Sequence, residues 1–285
     1  DFAFNLNEFF ATKDNGFFEH EADVKKFLDR LAENEKYPFS TPELRDEIRH
    51  SFWLLERVAS AVALKKLLND HPVFKDYEVI LAAGDRRDDA DTEKVGKALD
   101  QVKSAIKHAE ETDGKTITLS VGQLTTGVTI PEWTAVMMLS NIKSPALYMQ
   151  SAFRAQNPCT FERGGHVFEK QNAYVFDFAP ERTLITFDEF ANNLNPTPVG
   201  DPLKRQENIA TLLNFFPVIG EDSDGKMTLL DAEQVLTFPH AFKAREVVRR
   251  GFMSNLLFDN IAGIFRHAEY YKEVLEKLPT AKQGK

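Results

Sequence analysis

Two short segments of the sequence carry residue types that handle phosphate groups. Residues 120–131 form a loop rich in glycine and hydroxyl groups that includes Gly127 and Thr129. Such a loop brings its backbone close to a phosphate or a ribose. Further along, Gln150 and Arg154 lie one helical turn apart, so they project from the same side of a predicted helix. An arginine placed in this way stabilises the negative charge that develops on a phosphoryl group during its transfer.

Short apolar strands that alternate with helices must position these two segments. The helices are predicted from apolar residues that recur at spacings of three and four, as in the stripe from Val95 to Ala109. The strands are predicted from short, nearly continuous apolar runs at Ser51–Leu55, Tyr77–Ala83, Thr116–Val121, Thr134–Leu139 and Ala173–Phe178. This alternation predicts an α/β fold, in which a parallel sheet is sandwiched by helices.

The segments on either side of this α/β region have a different pattern of apolar residues. We therefore predict three regions: 1–48, 49–195 and 196–285. Residues 1–48 form a lead-in with two short predicted helices, at Ala22–Leu31 and Pro42–Arg49. After a proline-rich linker, residues 196–285 are predicted to be mainly helical. The candidate helices there are Leu203–Phe215, Leu229–Leu236, Pro239–Arg250 and Asn255–Leu278.

The composition is that of an ordinary globular protein with an acidic balance. The 285 residues include 35 Lys+Arg and 44 Asp+Glu, for a net charge of −9, which at face value argues against nucleic acid. However, residues 240–285 hold nine basic and five acidic residues, with Arg245 and Arg249 in a basic cluster. That cluster is either a solvated helix face or a phosphate-contacting one. No apolar run is long enough for a membrane span. The single cysteine, Cys159, favours a reducing compartment, which we take to be the cytoplasm.

The two chemistry-bearing segments resemble motifs V and VI of superfamily 2 helicases and translocases. The loop from Ser120 to Pro131 is similar to the family's strand and loop that end in Gly-x-Asp-x-Pro. The helix Gln150-Ser-Ala-Phe-Arg154 is similar to the start of its Gln-x-x-Gly-Arg-x-x-Arg motif. The resemblance covers about residues 48–195 and corresponds to the second RecA-like lobe. Within this superfamily, the amino-acid sequence of the region, including residues 174–180, is most similar to the motor subunits of type I and type III restriction enzymes.

The resemblance implies a role for each candidate residue in a DNA-dependent ATPase. Gln150 and Arg154 would face the γ-phosphate of ATP, and Gly127 and Thr129 would lie beside the ribose. The residues expected to contact the DNA backbone are Ser120, Thr125, Arg57, Arg245 and Arg249. ATP and Mg²⁺ would be bound mainly by a first lobe that this chain does not contain. The implied partners are double-stranded DNA, that first lobe, and nuclease or methyltransferase modules or subunits.

The sequence departs from the family pattern at positions that matter for catalysis. Thr129 stands where the family usually has Asp, Phe153 replaces a glycine, and Asn157 replaces the second arginine. Arg154 is then the remaining arginine of that motif, with Arg163 as a substitute. The chain has neither a phosphate-binding loop nor an Asp-Glu box for magnesium, so we expect it to be inactive alone. Because it begins at Asp1 rather than Met, we interpret it as a piece of a longer protein.

Alternatives to the motor lobe remain at this point. One alternative is a catalytically degenerate lobe that serves as a docking module for nucleic acid or protein. Another is that Gln150 and Arg154 have only a structural role and hold a helix to the sheet. A free-standing α/β enzyme is a third interpretation, but the sequence offers no set of nucleophile, base and metal ligands for it. The Asp-Gly-Lys-Thr segment at 113–116 lacks the preceding strand and following helix of a phosphate-binding loop. We predict no metal site, because the Asp-Ser-Asp-Gly segment at 222–225 lacks the ligands of a calcium loop, and the histidines and the single cysteine form no zinc set.

Overall fold

The computed structural model describes residues 5–33, 37–83, 91–121, 129–163, 165–193, 202–215, 218–221, 227–233, 235 and 257–260. The chain divides into two compact units. The first unit comprises Asn5–Asn141 and Arg154–Gln171. The second comprises Asp1–Phe4, Ile142–Phe153 and Asn172–Lys285.

Four parallel strands form the sheet of the first unit. They are β1 (His50–Leu55), β2 (Tyr77–Ala83), β3 (Lys115–Val121) and β4 (Ala135–Met138). Their spatial order is β2-β3-β1-β4, with β1 hydrogen-bonded to β3 on one side and to β4 on the other. Every residue of β1 and of β4 is buried, which explains why the runs 52–55 and 135–138 are continuously apolar rather than alternating.

The helices of the first unit are α1 (Leu6–Phe9), α2 (Glu21–Glu33), α3 (Pro42–Glu47), α4 (Val58–Asp70) and α5 (Asp91–Glu111). The side chain of Thr41 caps α3 by accepting a hydrogen bond from Leu44 N–H, and Pro42 occupies the first turn. Apolar residues of α2 recur with helical spacing and are buried.

Both faces of this sheet are covered. Alternate residues of a strand point to opposite faces, and His50 and Trp53 of β1 have different neighbours accordingly. His50 is hydrogen-bonded to Glu110 of α5. Trp53 packs against Phe39 and Phe74, with ring centroids 5.8 Å away in each case. The predicted sandwich of helices around a parallel sheet is therefore confirmed.

A two-stranded hairpin, which the sequence did not predict, also belongs to the first unit. Strands β5 (Thr160–Arg163) and β6 (His166–Glu169) are antiparallel, and Gly165 in the turn has φ +75°. The Gly164-Gly165 pair between two short runs was an available hairpin signal. All four residues of β6 are exposed, so the hairpin lacks the apolar pattern by which the other strands were predicted.

The second unit contains helices α6 (Pro145–Ala152), α7 (Pro180–Asn193) and α8 (Pro202–Phe215). Helix α6 continues as a 3₁₀ turn over Phe153–Ala155. The strands of the second unit are β7 (Tyr174–Asp177), β8 (Val218–Glu221), β9 (Met227–Leu229) and β10 (Leu257–Asn260). They pair antiparallel in the order β7-β10-β8-β9.

The region after residue 196 contains more strand than the sequence predicted. Helix α8 matches the predicted Leu203–Phe215, but β10 lies inside the predicted helix Asn255–Leu278, where the pairing of Phe258 with Phe176 of β7 overrides local helical spacing. The predicted helix Pro239–Arg250 lies outside the described residues. None of the described helices is long and apolar enough to cross a membrane. The division into regions 1–48, 49–195 and 196–285 stays a prediction.

Candidate functional site

The carboxyl edge of the first unit's sheet is where the predicted segments leave their strands. Strands β1 and β3 end level, because Leu55 is paired with Val121, and β4 ends beside Leu54. In open α/β sheets ligands bind outside the carboxyl ends of parallel strands. The residues that follow β1 and β3 therefore start from one edge, although residues 122–128, which include Thr125 and Gly127, lie outside the described residues.

Arg57 is a positively charged residue that lies at this edge of the sheet. It is exposed and occupies the N-cap position of the 13-residue helix α4, directly after β1. The helix start has no side-chain capping hydrogen bond. Because the N-terminus of a helix carries a partial positive charge and unpaired N–H groups, Arg57 and the first turn of α4 together favour an anion.

Ser120, which is predicted to contact the DNA backbone, is buried in this structure. It lies near the end of β3, between Leu54 of β1 and Ala82 of β2, and its side chain is fully buried. The hydroxyl is therefore covered by protein in this structure. By contrast, Thr129 is exposed, as the predicted role beside a ribose requires.

The segment that returns from this loop to β4 is held by Lys170, a residue that sequence reasoning missed. The Nζ atom of Lys170 donates hydrogen bonds to the carbonyl oxygens of Pro131 and Trp133, both at 2.7 Å. Burial lowers the pKa of Lys170 to about 7, although Cys159 and Glu132 act in the opposite direction. Nothing in the sequence pointed to Lys170, because its partners lie 39 and 37 positions away in the chain.

The predicted catalytic pair is divided between the two units. Gln150 lies on α6 in the second unit, and its Oε1 atom is buried without a hydrogen bond in the described part of the chain. A buried oxygen of this kind is normally satisfied by a water molecule or a ligand. Arg154 lies in the 3₁₀ turn after α6 and belongs to the first unit, where it is half-buried.

Arg163, the substitute for Arg154, is engaged at the opposite edge of the sheet. Its Nε and Nη2 atoms donate to the two carboxylate oxygens of Glu110 at 2.8 and 2.9 Å, and its guanidinium stacks on Phe161. Glu110 also contacts His50, which is paired with Thr116 at the amino ends of β1 and β3. Since strand residues advance about 3.3 Å each, this point is roughly 16 Å from the carboxyl edge.

Glu110 is the centre of a buried ionic network at the amino edge. The Nε2 atom of His50 lies 2.7 Å from Glu110 Oε1, and the Nε atom of Arg49 lies 3.8 Å from it. Burial alone would raise the pKa of Glu110, but hydrogen bonds and charges from His50 and Arg163 lower it to about 2. Burial lowers the pKa of His50 despite its carboxylate partner. The network holds α5 and the hairpin to the sheet.

The remaining predicted DNA-contacting residues, Arg245 and Arg249, lie outside the described residues. Among the described residues, no group of three or more His, Cys, Asp and Glu side chains is arranged to hold a metal ion.

Comparison with known proteins finds a relative whose name refers to restriction and methylation. No protein-family model matches it. It is similar to a Mycoplasma pneumoniae protein named as a type II restriction enzyme and methyltransferase, RM.MpnORF110P C-terminus, with 29% identity over 186 residues. The alignment covers 64% of this chain and 25% of that relative. The chain therefore spans about a quarter of the length of the relative it matches.

Proposed function

We propose that this chain is the second lobe of a DNA-dependent ATPase motor within a restriction–modification enzyme. The name of the Mycoplasma pneumoniae relative supports the restriction–modification part of the proposal. The resemblance of residues 120–131 and 150–154 to helicase motifs supports the motor part. Because the chain spans a quarter of the relative, the activity and partners of the whole enzyme belong to the proposal.

The observation that carries the proposal is the level carboxyl edge of the parallel sheet. Because Leu55 is paired with Val121, β1 and β3 end level. The segment after β1 and the Gly/Thr-rich segment after β3 therefore both begin at the same edge of the sheet. Arg57 and the uncapped start of α4 supply positive charge there. This is the arrangement by which α/β sheets bind phosphate-containing ligands.

Each residue has a role in this proposal. Arg154 stabilises charge on the γ-phosphate of ATP and Gln150 orients the attacking water. Gly127 and Thr129 contact the ribose. Arg57, Thr125, Arg245 and Arg249 contact the DNA backbone, whereas the burial of Ser120 restricts it to supporting the strand end. ATP and Mg²⁺ would be held mainly by the first lobe and would supply the phosphoryl group and the charge neutralisation.

Substitution of Arg154 in the full-length enzyme tests the motor. We expect Arg154→Ala to lower the rate of DNA-stimulated ATP hydrolysis by roughly 10³-fold while nucleotide binding persists, since an arginine finger acts on the transition state. Arg30→Ala, which removes an exposed arginine from α2, is the matched control and should retain the wild-type rate. An Arg154→Ala enzyme that hydrolyses ATP as fast as the control would contradict the proposal.

A docking module without catalysis is the second candidate, and the hairpin favours it. Val167 and Phe168 of β6 are 68% and 49% exposed, which is unusual for apolar side chains on neighbouring positions of one strand. Arg163 is also bound to Glu110 and is thereby withdrawn from catalysis. If the full-length enzyme with Arg154 intact binds DNA but hydrolyses no ATP, the docking module replaces the motor.

A further inference from the structure

We propose that Lys170 is a positioning residue for nucleotide binding, because it fixes the backbone of Pro131–Trp133 and thereby the place of Thr129. This inference rests on the proposed function, in which Thr129 lies beside the ribose. Lys170 follows β6 and is remote in sequence from both residues that it holds. It therefore adds a residue to the nucleotide site that the motifs do not contain.

The hydrogen bonds of Lys170 give the geometric basis. Its Nζ atom lies 2.7 Å from the carbonyl oxygen of Pro131 and 2.7 Å from that of Trp133. Two short bonds from one donor fix both the distance and the direction of the two carbonyl groups. The backbone N–H of Lys170 donates to the carbonyl of Cys159 at 2.8 Å, so the lysine is itself fixed at the base of the hairpin.

The segment that Lys170 holds needs such a donor. Residues 129–134 lie outside any strand, and Pro131 has no N–H group with which to make a backbone bond. Buried carbonyl groups that do not belong to a helix or a sheet must find partners elsewhere. The Trp133 side chain is fully buried against Phe52, with ring centroids 4.7 Å apart, so the segment is anchored from one side by packing and from the other by Lys170.

Thr129 depends on this anchoring because only Ile130 separates it from Pro131, the nearer of the two residues whose carbonyl groups Lys170 holds. The exposed hydroxyl reaches a ribose only if Ile130 and Pro131 keep their positions, and Ile130 accepts a hydrogen bond from Trp133 N–H at 3.2 Å within the same turn. Loss of the amino group leaves both carbonyls without this donor and frees the segment to move. Lys170 is half-buried, and this burial lowers its pKa to about 7.

Lys170→Met and Lys170→Arg in the full-length enzyme test the proposal. Methionine keeps most of the length of the side chain without its donors, and arginine keeps a cation with several donors. Lys103→Met, at an exposed position of α5, is the matched control. The measurements are the KM and kcat for ATP with saturating DNA, the thermal midpoint of unfolding, and amide hydrogen exchange of the peptide that covers residues 129–134.

We expect Lys170→Met to raise the KM for ATP on the order of tenfold or more with a smaller change in kcat, since a displaced binding group weakens ground-state and transition-state binding alike. Exchange within 129–134 should become faster, and Lys170→Arg should recover part of both effects. If Lys170→Met destabilises the enzyme but leaves the KM at the Lys103→Met value, Lys170 is structural only and the proposal is wrong.

The failure of this inference is distinguishable from the failure of the motor. If wild-type enzyme hydrolyses no ATP on DNA, the proposed function is wrong, and with it the nucleotide role of Lys170. If wild-type enzyme is active and neither the KM nor the exchange of residues 129–134 changes in Lys170→Met, the Lys170 proposal alone is overturned. A rise in KM together with faster exchange supports both.

Discussion

Glu110 shows how a single half-buried carboxylate connects distant parts of the chain. It accepts two hydrogen bonds from Arg163 and a third contact from His50, so one side chain joins α5, the hairpin and the central strand β1. Its side chain is 17% exposed, and a carboxylate so little exposed is stable only with such partners. Glu110 is therefore a determinant of stability, remote from the carboxyl edge.

Replacement of Glu110 by Gln should destabilise the first unit by about 2–3 kcal/mol, because charge-assisted hydrogen bonds are lost and Arg163 loses its counter-charge. Glu111→Gln is the control, since Glu111 is adjacent, 62% exposed and 4.0 Å from Lys107. Urea denaturation of both variants at pH 7 measures the difference. Equal midpoints for the two variants would show that the network contributes no stability.

The same residues predict how stability depends on pH. The pKa of Glu110 is lowered from 4.5 to about 2, so its contribution is fully present above pH 4.5 and is lost as the pH falls towards 2. The pKa of His50 is also lowered, so below its ordinary value of 6.5 the unfolded chain takes up the proton more readily and stability falls further. We expect the wild-type chain to lose stability between pH 6.5 and 3, and Glu110→Gln to lose less over pH 4.5–3, as urea midpoints at each pH would reveal.

Residue types in the sequence indicated part of the candidate site. The resemblance to helicase motifs implied that Arg57 and Ser120 contact the DNA backbone. Arg57 is exposed at the start of α4, whereas Ser120 is buried in β3, and both roles stay predictions. Lys170 was not predictable, since a hydrogen bond from a lysine to distant backbone carbonyls leaves no local pattern.

At the scale of elements, continuous apolar runs made the parallel strands predictable. The predicted Tyr77–Ala83 agrees with β2 at both ends, and Ser51–Leu55 differs from β1 by one residue. The hairpin was missed because the strand β6 is entirely exposed and carries no burial pattern. The strand β10 was missed because its pairing with β7 is long-range and competes with a local helical spacing.

The aromatic cluster beneath the sheet provides a test at the same scale. Phe39, from the connection between α2 and α3, is fully buried and lies 5.1 Å from Phe74 and 5.8 Å from Trp53 between ring centroids. We expect Phe39→Ala to lower the free energy of unfolding by about 3–5 kcal/mol, because it removes a large side chain from a packed core.

Phe17→Ala is the control for this substitution. The Phe17 side chain is 56% exposed, so its loss should change stability by less than about 1 kcal/mol in the same urea titration. If Phe39→Ala unfolds at the same urea concentration as Phe17→Ala, the lead-in residues do not contribute to the core of the first unit.

At the scale of the whole molecule, the two-lobe proposal predicts that this chain alone is inactive. Its 285 residues contain no phosphate-binding loop, so the isolated chain has no group to hold the nucleotide phosphates against the arginine. We expect ATP hydrolysis at the background rate with or without DNA, and DNA-stimulated hydrolysis by the full-length enzyme under the same conditions. DNA-stimulated turnover by the isolated chain would contradict the two-lobe proposal.

The order of strands in the first unit has a consequence for how the polypeptide is made. Strand β1 lies between β3 and β4, so both of its partners leave the ribosome only after α4, β2 and α5 have been synthesised. Until then the run Ser51–Leu55 has neither edge paired, and apolar strands exposed in this way associate with other chains. Non-local pairing also slows folding. We therefore expect the newly made chain to be prone to association through this run until β3 and β4 have been synthesised.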